Sequence, residues 1–183
     1  ELVVACDVDT LFVDAAEVFG PQKGATPAQV ALLRRRLERL AQIYVRDYGV
    51  DVTELAGAGA AGGLAGGLAA AGAVLADGFD VVAEALSLAE RIAGADLVVT
   101  GEATVDAESF EGKAVGGVVD LATEAGVPVL IVAGEVLAGE LPELPASVQV
   151  ISLAARFGRE RARADVAGCV AEVVDVAVRD RAR

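Results

Sequence analysis

The sequence contains no histidine, methionine or tryptophan, and only two cysteines. Without histidine it lacks the side chain that titrates nearest neutral pH. That excludes a Ser-His-Asp triad and any His-containing zinc site. Acid–base work is left to Asp, Glu, Lys or Tyr. Any metal would be a hard cation held by carboxylates, magnesium first. Cys6 and Cys169 make no metal-ligand spacing. Reduced thiols in a cytoplasmic protein are the simplest expectation. No membrane span is expected, and no secretory signal is visible. Methionine is missing even as initiator, and "ELVVACDVD" reads as an interior strand, so a fragment of a longer chain is expected.

What is present is aliphatic and acidic. The chain has 183 residues, 55% of them hydrophobic, a mean hydropathy of +0.54 and only 4% aromatics. Small aliphatics suit helices lying close on a parallel sheet. The net charge of −13 makes nucleic acid and anionic membrane surfaces poor partners for the surface as a whole. A few local cations and backbone N–H groups can still hold a small anion.

Along the chain, Leu2–Cys6 reads as a buried strand ending at Asp7-Val8-Asp9. An irregular segment runs to Gly24. Thr26-Pro27 then carries an N-cap and a first-position proline. Val30, Leu33, Leu37, Leu40 and Ile43-Tyr44 keep helical spacing, with Arg34, Arg35, Arg36 and Arg39 as a solvated face. Gly57–Gly78 is Gly/Ala-rich, and its repeated glycines need a packing reason in a helix. Phe79–Ala93 reads as one further helix. Next come a strand at Leu97–Thr100, a helix at Ala114–Ala125 stopped by Gly126, strands at Val127–Ala133 and Val148–Leu153, and a last helix from about Glu160 to Val178. The alternation predicts an α/β fold, mostly a parallel sheet flanked by helices, Rossmann-like. Two lobes are expected, Gly/Ala-rich over residues 1–93 and Rossmann-like over 94–183.

Ligands of open α/β sheets collect beyond the carboxyl ends of the strands. Three polar clusters stand there: Asp7/Asp9, the loop from Glu102 to Lys113, and Gly134-Glu135. Asp7 and Asp9 alternate, so one strand or turn points both carboxylates the same way. They fit a magnesium site or a base and its orienting partner, and a capping turn almost as well. Glu102 and Asp106 suit function; Glu108 and Glu111 read as solvent acids. Lys113 could touch a phosphate. Lys23, among turn formers, reads as a loop lysine when taken alone. Gly57–Gly62 matches G-x-G-x-x-G, but no continuous apolar strand precedes it, so a nicotinamide-binding fold has weak support. Gly112-Lys113-Ala114 makes no P-loop, because no glycine stands at Ala107 and no Ser or Thr follows the lysine.

Taken together, "ACDVD", "VFGPQKGAT", "GAGAAGGL", "ADLVVTGE…D…S…GK" and "AGVPVLIVAG" resemble the bacterial glycerate kinase family, in that family's order and near its spacing. The resemblance covers Ala5 to about Gly134, and the rest more loosely. It implies an ATP- and magnesium-dependent kinase acting on glycerate, built of two α/β domains, with this chain as its C-terminal half. It also implies catalytic roles for Asp7, Asp9 and Lys23, metal binding by Asp7 and Asp9, and cofactor binding by Gly101, Glu102, Asp106, Ser109 and Lys113. A homodimer is left open. Two departures stand out. Ala103-Thr104 replace the family's Gly-Arg after Thr-Gly-Glu, and Thr10-Leu11-Phe12 replace its Asn-Pro turn. The missing arginine is a bidentate donor suited to carboxylate or phosphate. A diverged, inactive scaffold is the alternative that these departures suggest.

Overall fold

The computed structural model describes residues 2–110, 114–137 and 141–181. It divides into two compact units, Glu1–Val82 and Ala83–Arg183. Both are mixed α/β, and each holds a parallel sheet.

In the first unit, strand β1 (Val3–Cys6) is followed by helix α1 (Ala15–Phe19), a 3-10 turn (Pro21–Lys23), α2 (Pro27–Tyr48), α3 (Ala60–Ala70) and β2 (Val74–Asp77), with α4 (Gly78–Ala85) beginning at its end. Helix α2 starts where the sequence asks. The Thr26 hydroxyl accepts from the Gln29 backbone N–H, and the Gln29 side chain accepts from the Thr26 N–H, a reciprocal capping box. The helix ends at Gly49, whose left-handed φ of 71° an L-residue resists.

Phe12 organises this unit. It is fully buried among Ala41, Val52, Ala58, Ala69 and Ala70, with the Tyr44 ring 5.9 Å away. A Cβ at Gly66 would lie 2.4 Å from the Phe12 ring, and one at Gly63 2.9 Å. The glycine run is therefore the receptacle of one aromatic ring, which is the packing reason its composition demands.

Several expectations are corrected here. The segment before Gly24 is not irregular: it holds α1, tied to α2 by Arg34, whose guanidinium donates to Asp14 at 3.1 Å and lies 3.2 Å from Glu17. Arg34 thus leaves the solvated face, while Arg35, Arg36 and Arg39 remain on it. Strand β2 was hidden in the Gly/Ala-rich run; Gly72, at φ 100°, turns the chain out of α3 and into it. Strand β1 is not buried. It pairs in parallel with β2, Val3 opposite Val74 through Cys6 opposite Asp77. Val4, Cys6 and Leu75 pack toward α3, while Val3 and Val74 stay about half exposed.

The second unit runs α5 (Leu88–Ala93), β3 (Val98–Val105), a 3-10 turn (Ala107–Phe110), α6 (Ala114–Glu124), β4 (Val129–Val136), β5 (Val148–Ser152), α7 (Leu153–Phe157), α8 (Arg159–Ala164) and α9 (Val166–Arg181). The sheet order is β3-β4-β5, all parallel. Strand β4 is covered on both faces. Val129, Ile131 and Ala133 pack with Val115, Val119 and Ala122 of α6. Leu130 and Val132 pack with Leu153, Ala162, Cys169 and Val173. A strand buried on both sides has no polar alternation, which is why it reads as an unbroken apolar run.

The expected Phe79–Ala93 helix is two helices, because Ser87 adopts a left-handed φ of 49° between them. The expected last helix is also two, broken at Asp165, whose carboxylate accepts from the Gly168 N–H at 3.1 Å and so caps α9. Helix α7 follows β5 without a linker, capped by the Ser152 hydroxyl accepting from Ala155 N–H. Strand β3 extends beyond Thr100, so Glu102 is a strand residue rather than a loop residue.

Candidate active site

In each unit acidic residues lie in or just beyond the carboxyl-terminal parts of parallel strands: Asp7 and Asp9 follow β1, Asp77 ends β2, Glu102 and Glu135 lie within β3 and β4, and Asp106 follows β3. At the end of β1 and β2 stand Asp7, Asp9 and Asp77, with Cys6 in register with Asp77. Asp77 has a local duty: its Oδ1 accepts the backbone N–H groups of Phe79 at 2.7 Å and Asp80 at 3.1 Å, capping the start of α4. Asp7 and Asp9 are exposed and have no such bond among the described residues. Burial raises the Cys6 thiol pKa, and the charges of Asp7, Asp77 and Asp9 add to the shift. A thiol kept protonated is a poor nucleophile, so Cys6 is a core residue.

Among the described residues no group of three or more acids or cysteines could hold a metal ion. Two carboxylates still suit magnesium, which commonly takes one or two from the protein and fills its octahedron with phosphate oxygens and water. Asp7 and Asp9 have the donor chemistry for that arrangement, and not for a cage made of protein alone.

Lys23 closes the 3-10 turn and is exposed. With Phe19, Leu33, Arg36 and Leu37 it lines a cavity of about 210 Å³ in the first unit. The tight turn at Gly20 is enforced by space: a Cβ there would lie 2.4 Å from the Ala16 carbonyl oxygen.

The second unit carries a larger cavity, about 760 Å³, where β3 and β4 end. Thr100, Gly101, Glu102, Gly134 and Glu135 form the strand side of its lining. Gly101 is dictated by its neighbour, since a Cβ would stand 1.9 Å from the Val132 carbonyl oxygen. The same holds for Gly134, where a Cβ would be 2.5 Å from the Ala103 oxygen. Both glycines are thus explained by strand approach alone. Glu102 is exposed at the cavity and has no hydrogen bond or ion pair among the described residues.

Asp106 and Ser109 bond mainly to each other. The Ser109 hydroxyl donates to Asp106 Oδ1 at 3.2 Å and accepts the Asp106 N–H at 3.1 Å, while the Ser109 N–H also donates to Asp106 Oδ1. Ser109 is 2% exposed. The pair shapes the turn after β3, which packs on α6 so closely that a Cβ at Gly116 would lie 2.7 Å from Phe110 Cα. Lys113 and Glu111 lie outside the described residues. The site residues fall in both units: Asp7, Asp9 and Lys23 in the first, and Gly101, Glu102, Asp106 and Ser109 in the second.

Sequence reasoning missed Arg159 and Arg163. They stand one helical turn apart on α8 and line the larger cavity. Arg159 is ion-paired with Glu135. Their only sequence signal is the i, i+4 spacing, which is indistinguishable from a solvated helix face until α8 is seen folded over the strand ends. The element order also undercuts the dinucleotide reading: Gly57–Gly62 follows helix α2 and a turn, not a strand.

Taken unit by unit, Asp7, Asp9 and Lys23 in the first and Glu102, Arg159 and Arg163 in the second are residue types suited to positioning phosphate groups and neutralising their charge. Comparison with known proteins identifies the family. The model of the glycerate kinase family matches residues 1–175. This chain belongs to the glycerate kinase family. It is 43% identical over 135 residues to a glycerate kinase of Haemophilus influenzae, covering 72% of this chain and 36% of that protein. A glycerate kinase of Halalkalibacterium halodurans is 44% identical over 138 residues, 73% of this chain and 36% of its own length. The glycerate 2-kinase of Escherichia coli K12 is 42% identical over 135 residues, 72% of this chain and 35% of its own. A crystal structure of a Salmonella typhimurium LT2 protein described as a glycerate kinase 2 aligns with a TM-score of 0.63 and 41% identity, covering 82% of this chain and 41% of that one. The chain thus spans little more than a third of the length of these curated glycerate kinases. Among its described residues no helix is long and apolar enough to cross a membrane.

Proposed function

We propose that this chain is part of a glycerate kinase that transfers the γ-phosphoryl group of ATP to a hydroxyl of D-glycerate in the cytoplasm. One observation carries the reading: a family match along residues 1–175, with Asp7 and Asp9 following β1 and Asp106 following β3. Phosphoryl transfer asks a protein for position and charge neutralisation more than for covalent chemistry. Asp7 and Asp9 would hold magnesium together with phosphate oxygens, and bound magnesium would draw charge from those oxygens. One of these carboxylates could instead accept the proton of the attacking hydroxyl, a task that histidine cannot take here. Lys23 and Lys113 suit phosphate oxygens. Glu102 presents a carboxylate toward a bound ligand, and the Asp106–Ser109 pair holds the turn beyond it.

The test is ADP release from ATP and magnesium on the polypeptide that carries this chain, with and without D-glycerate. Glycerate-dependent ADP formation, lost in Asp7→Asn and Asp9→Asn, supports the reading. No glycerate-dependent turnover by the unsubstituted protein overturns it and favours the inactive scaffold that Ala103-Thr104 suggest.

A further inference from the structure

Helix α8 is strung between two breaks in the second unit. Gly158, at φ 82° and ψ 147°, separates it from α7, and Asp165, at φ −135° and ψ 57°, separates it from α9. A Cβ at Gly158 would meet nothing within 4 Å, so backbone conformation rather than crowding calls for glycine there. Three residues of α8, Arg159, Ala162 and Arg163, line the cavity at the ends of β3 and β4. The two sides of the helix are held unequally. Toward α7 and α9, the Arg161 guanidinium sits 4.7 Å over the Phe157 ring and pairs with Glu172 at 3.0 Å. Toward the strands, the described residues give α8 one ion pair, Arg159 with Glu135 of β4, and one small buried side chain, Ala162, in the cluster of Val132 and Leu153.

We propose that α8 is a strap over this cavity, latched by the Arg159–Glu135 pair. Glu135 is the fixed half: β4 is the middle strand of its sheet, and Glu135 lies in register with Thr104 of β3. Arg159 is the movable half, at the first position of the strap and next to the glycine. Breaking the pair frees the strand side of α8 while Arg161 still tethers the other side. The helix then tilts on its Gly158 and Asp165 ends, and the cavity opens. Hinges of lids are commonly element-terminal residues that absorb a change in φ and ψ. An ion pair that water reaches contributes little, and salt screens it. That weakness suits a latch, because it favours the closed form without locking it. The strap sets how readily a molecule enters or leaves the cavity, whatever that molecule is. The device needs neither nucleotide nor glycerate, so it goes beyond the kinase reading and stands or falls apart from it.

Hydrogen exchange of the polypeptide carrying this chain, free of ligand, tests it. The reporters are the Ala162 and Asp165 amides, which donate to the Gly158 and Arg161 carbonyls. A helix this short is not stable once released, so opening exposes both. Glu135→Gln and Arg159→Gln should each speed their exchange about twofold to fivefold, the range an exposed ion pair supports. Exchange in α6, on the other face of the sheet, should not change. Salt at about 1 M should speed the α8 exchange of the unsubstituted protein and add nothing in Glu135→Gln. Glu135→Arg combined with Arg159→Glu should restore slow exchange. Arg179→Gln, which removes the α9 pair with Asp175, should leave α8 as it was. A second readout reports access. Val132→Cys, in the same cluster as Ala162, should react faster with a water-soluble thiol reagent once Glu135→Gln is added, against a background of two buried cysteines, Cys6 and Cys169. Unchanged α8 exchange and unchanged labelling in Glu135→Gln overturn the strap. So does a rise of equal size in α6, which marks a general loosening of the unit.

Discussion

The two units solve the same problem, covering a parallel sheet, with different means. The second sets its central strand β4 between α6 on one face and α7–α9 on the other, and its core is a set of branched aliphatics. The first has two strands, one apolar face left half exposed, and a core gathered round a single phenylalanine seated among glycines and alanines. A core spread over many similar side chains should lose stability by increments. One centred on a single large ring should fail at that ring.

Four substitutions sharpen or break this contrast. The largest effect is expected at the centre of the first unit: Phe12→Ala should cost about 3–5 kcal/mol. Thermal or denaturant unfolding, read together with hydrogen exchange over residues 2–82, should show the loss concentrated in that unit. A cost below that of an ordinary surface change would break the contrast. In the second unit, Gly101→Ala should cost about 1–3 kcal/mol, because the new Cβ meets the Val132 carbonyl rather than a movable side chain. Exchange protection of β3 and β4 reads this out. Thr26→Ala should cost about 1 kcal/mol by removing the α2 cap, seen as fraying of the first helical turn. The smallest change has the opposite sign. Ala61 holds a left-handed φ of 51°, so Ala61→Gly should stabilise the first unit by up to about 1 kcal/mol. An unchanged or lowered melting temperature would contradict that assignment.

How much of this the sequence discloses depends on the range of the interactions involved. The start of helix α2 could be read to the residue, because Thr26 and Pro27 act within one turn of its end. Strand β4 could be read because burial on both faces leaves a continuous apolar run. Strand β2 could not: four residues after an Ala/Gly run carry no periodicity, and their partner β1 lies about seventy residues earlier. Helix α1 was hidden for a similar reason, since its anchor, Arg34, is on another helix. The candidate site divides the same way. Asp7 and Asp9 could be proposed because they follow a strand, where ligands of open α/β sheets gather, whereas Glu102, expected in a loop, lies inside β3. Gly101 was read as a cofactor residue, yet the crowding that demands it comes from β4, which no local pattern reveals. Asp106 and Ser109 are occupied by one another, a local turn whose bonds leave no mark in composition. Arg163 was invisible for the reverse reason: its helix looks solvated until it is folded over the strands.

Phosphorus NMR of the polypeptide carrying this chain, with ATP, magnesium and D-glycerate, examines the central claim most directly. The account predicts that the γ-phosphate signal of ATP falls as ADP and a phosphomonoester of glycerate rise together, and that the ester is absent when glycerate is withheld. ATP that persists unchanged, or that yields only inorganic phosphate at the same rate with and without glycerate, would contradict it.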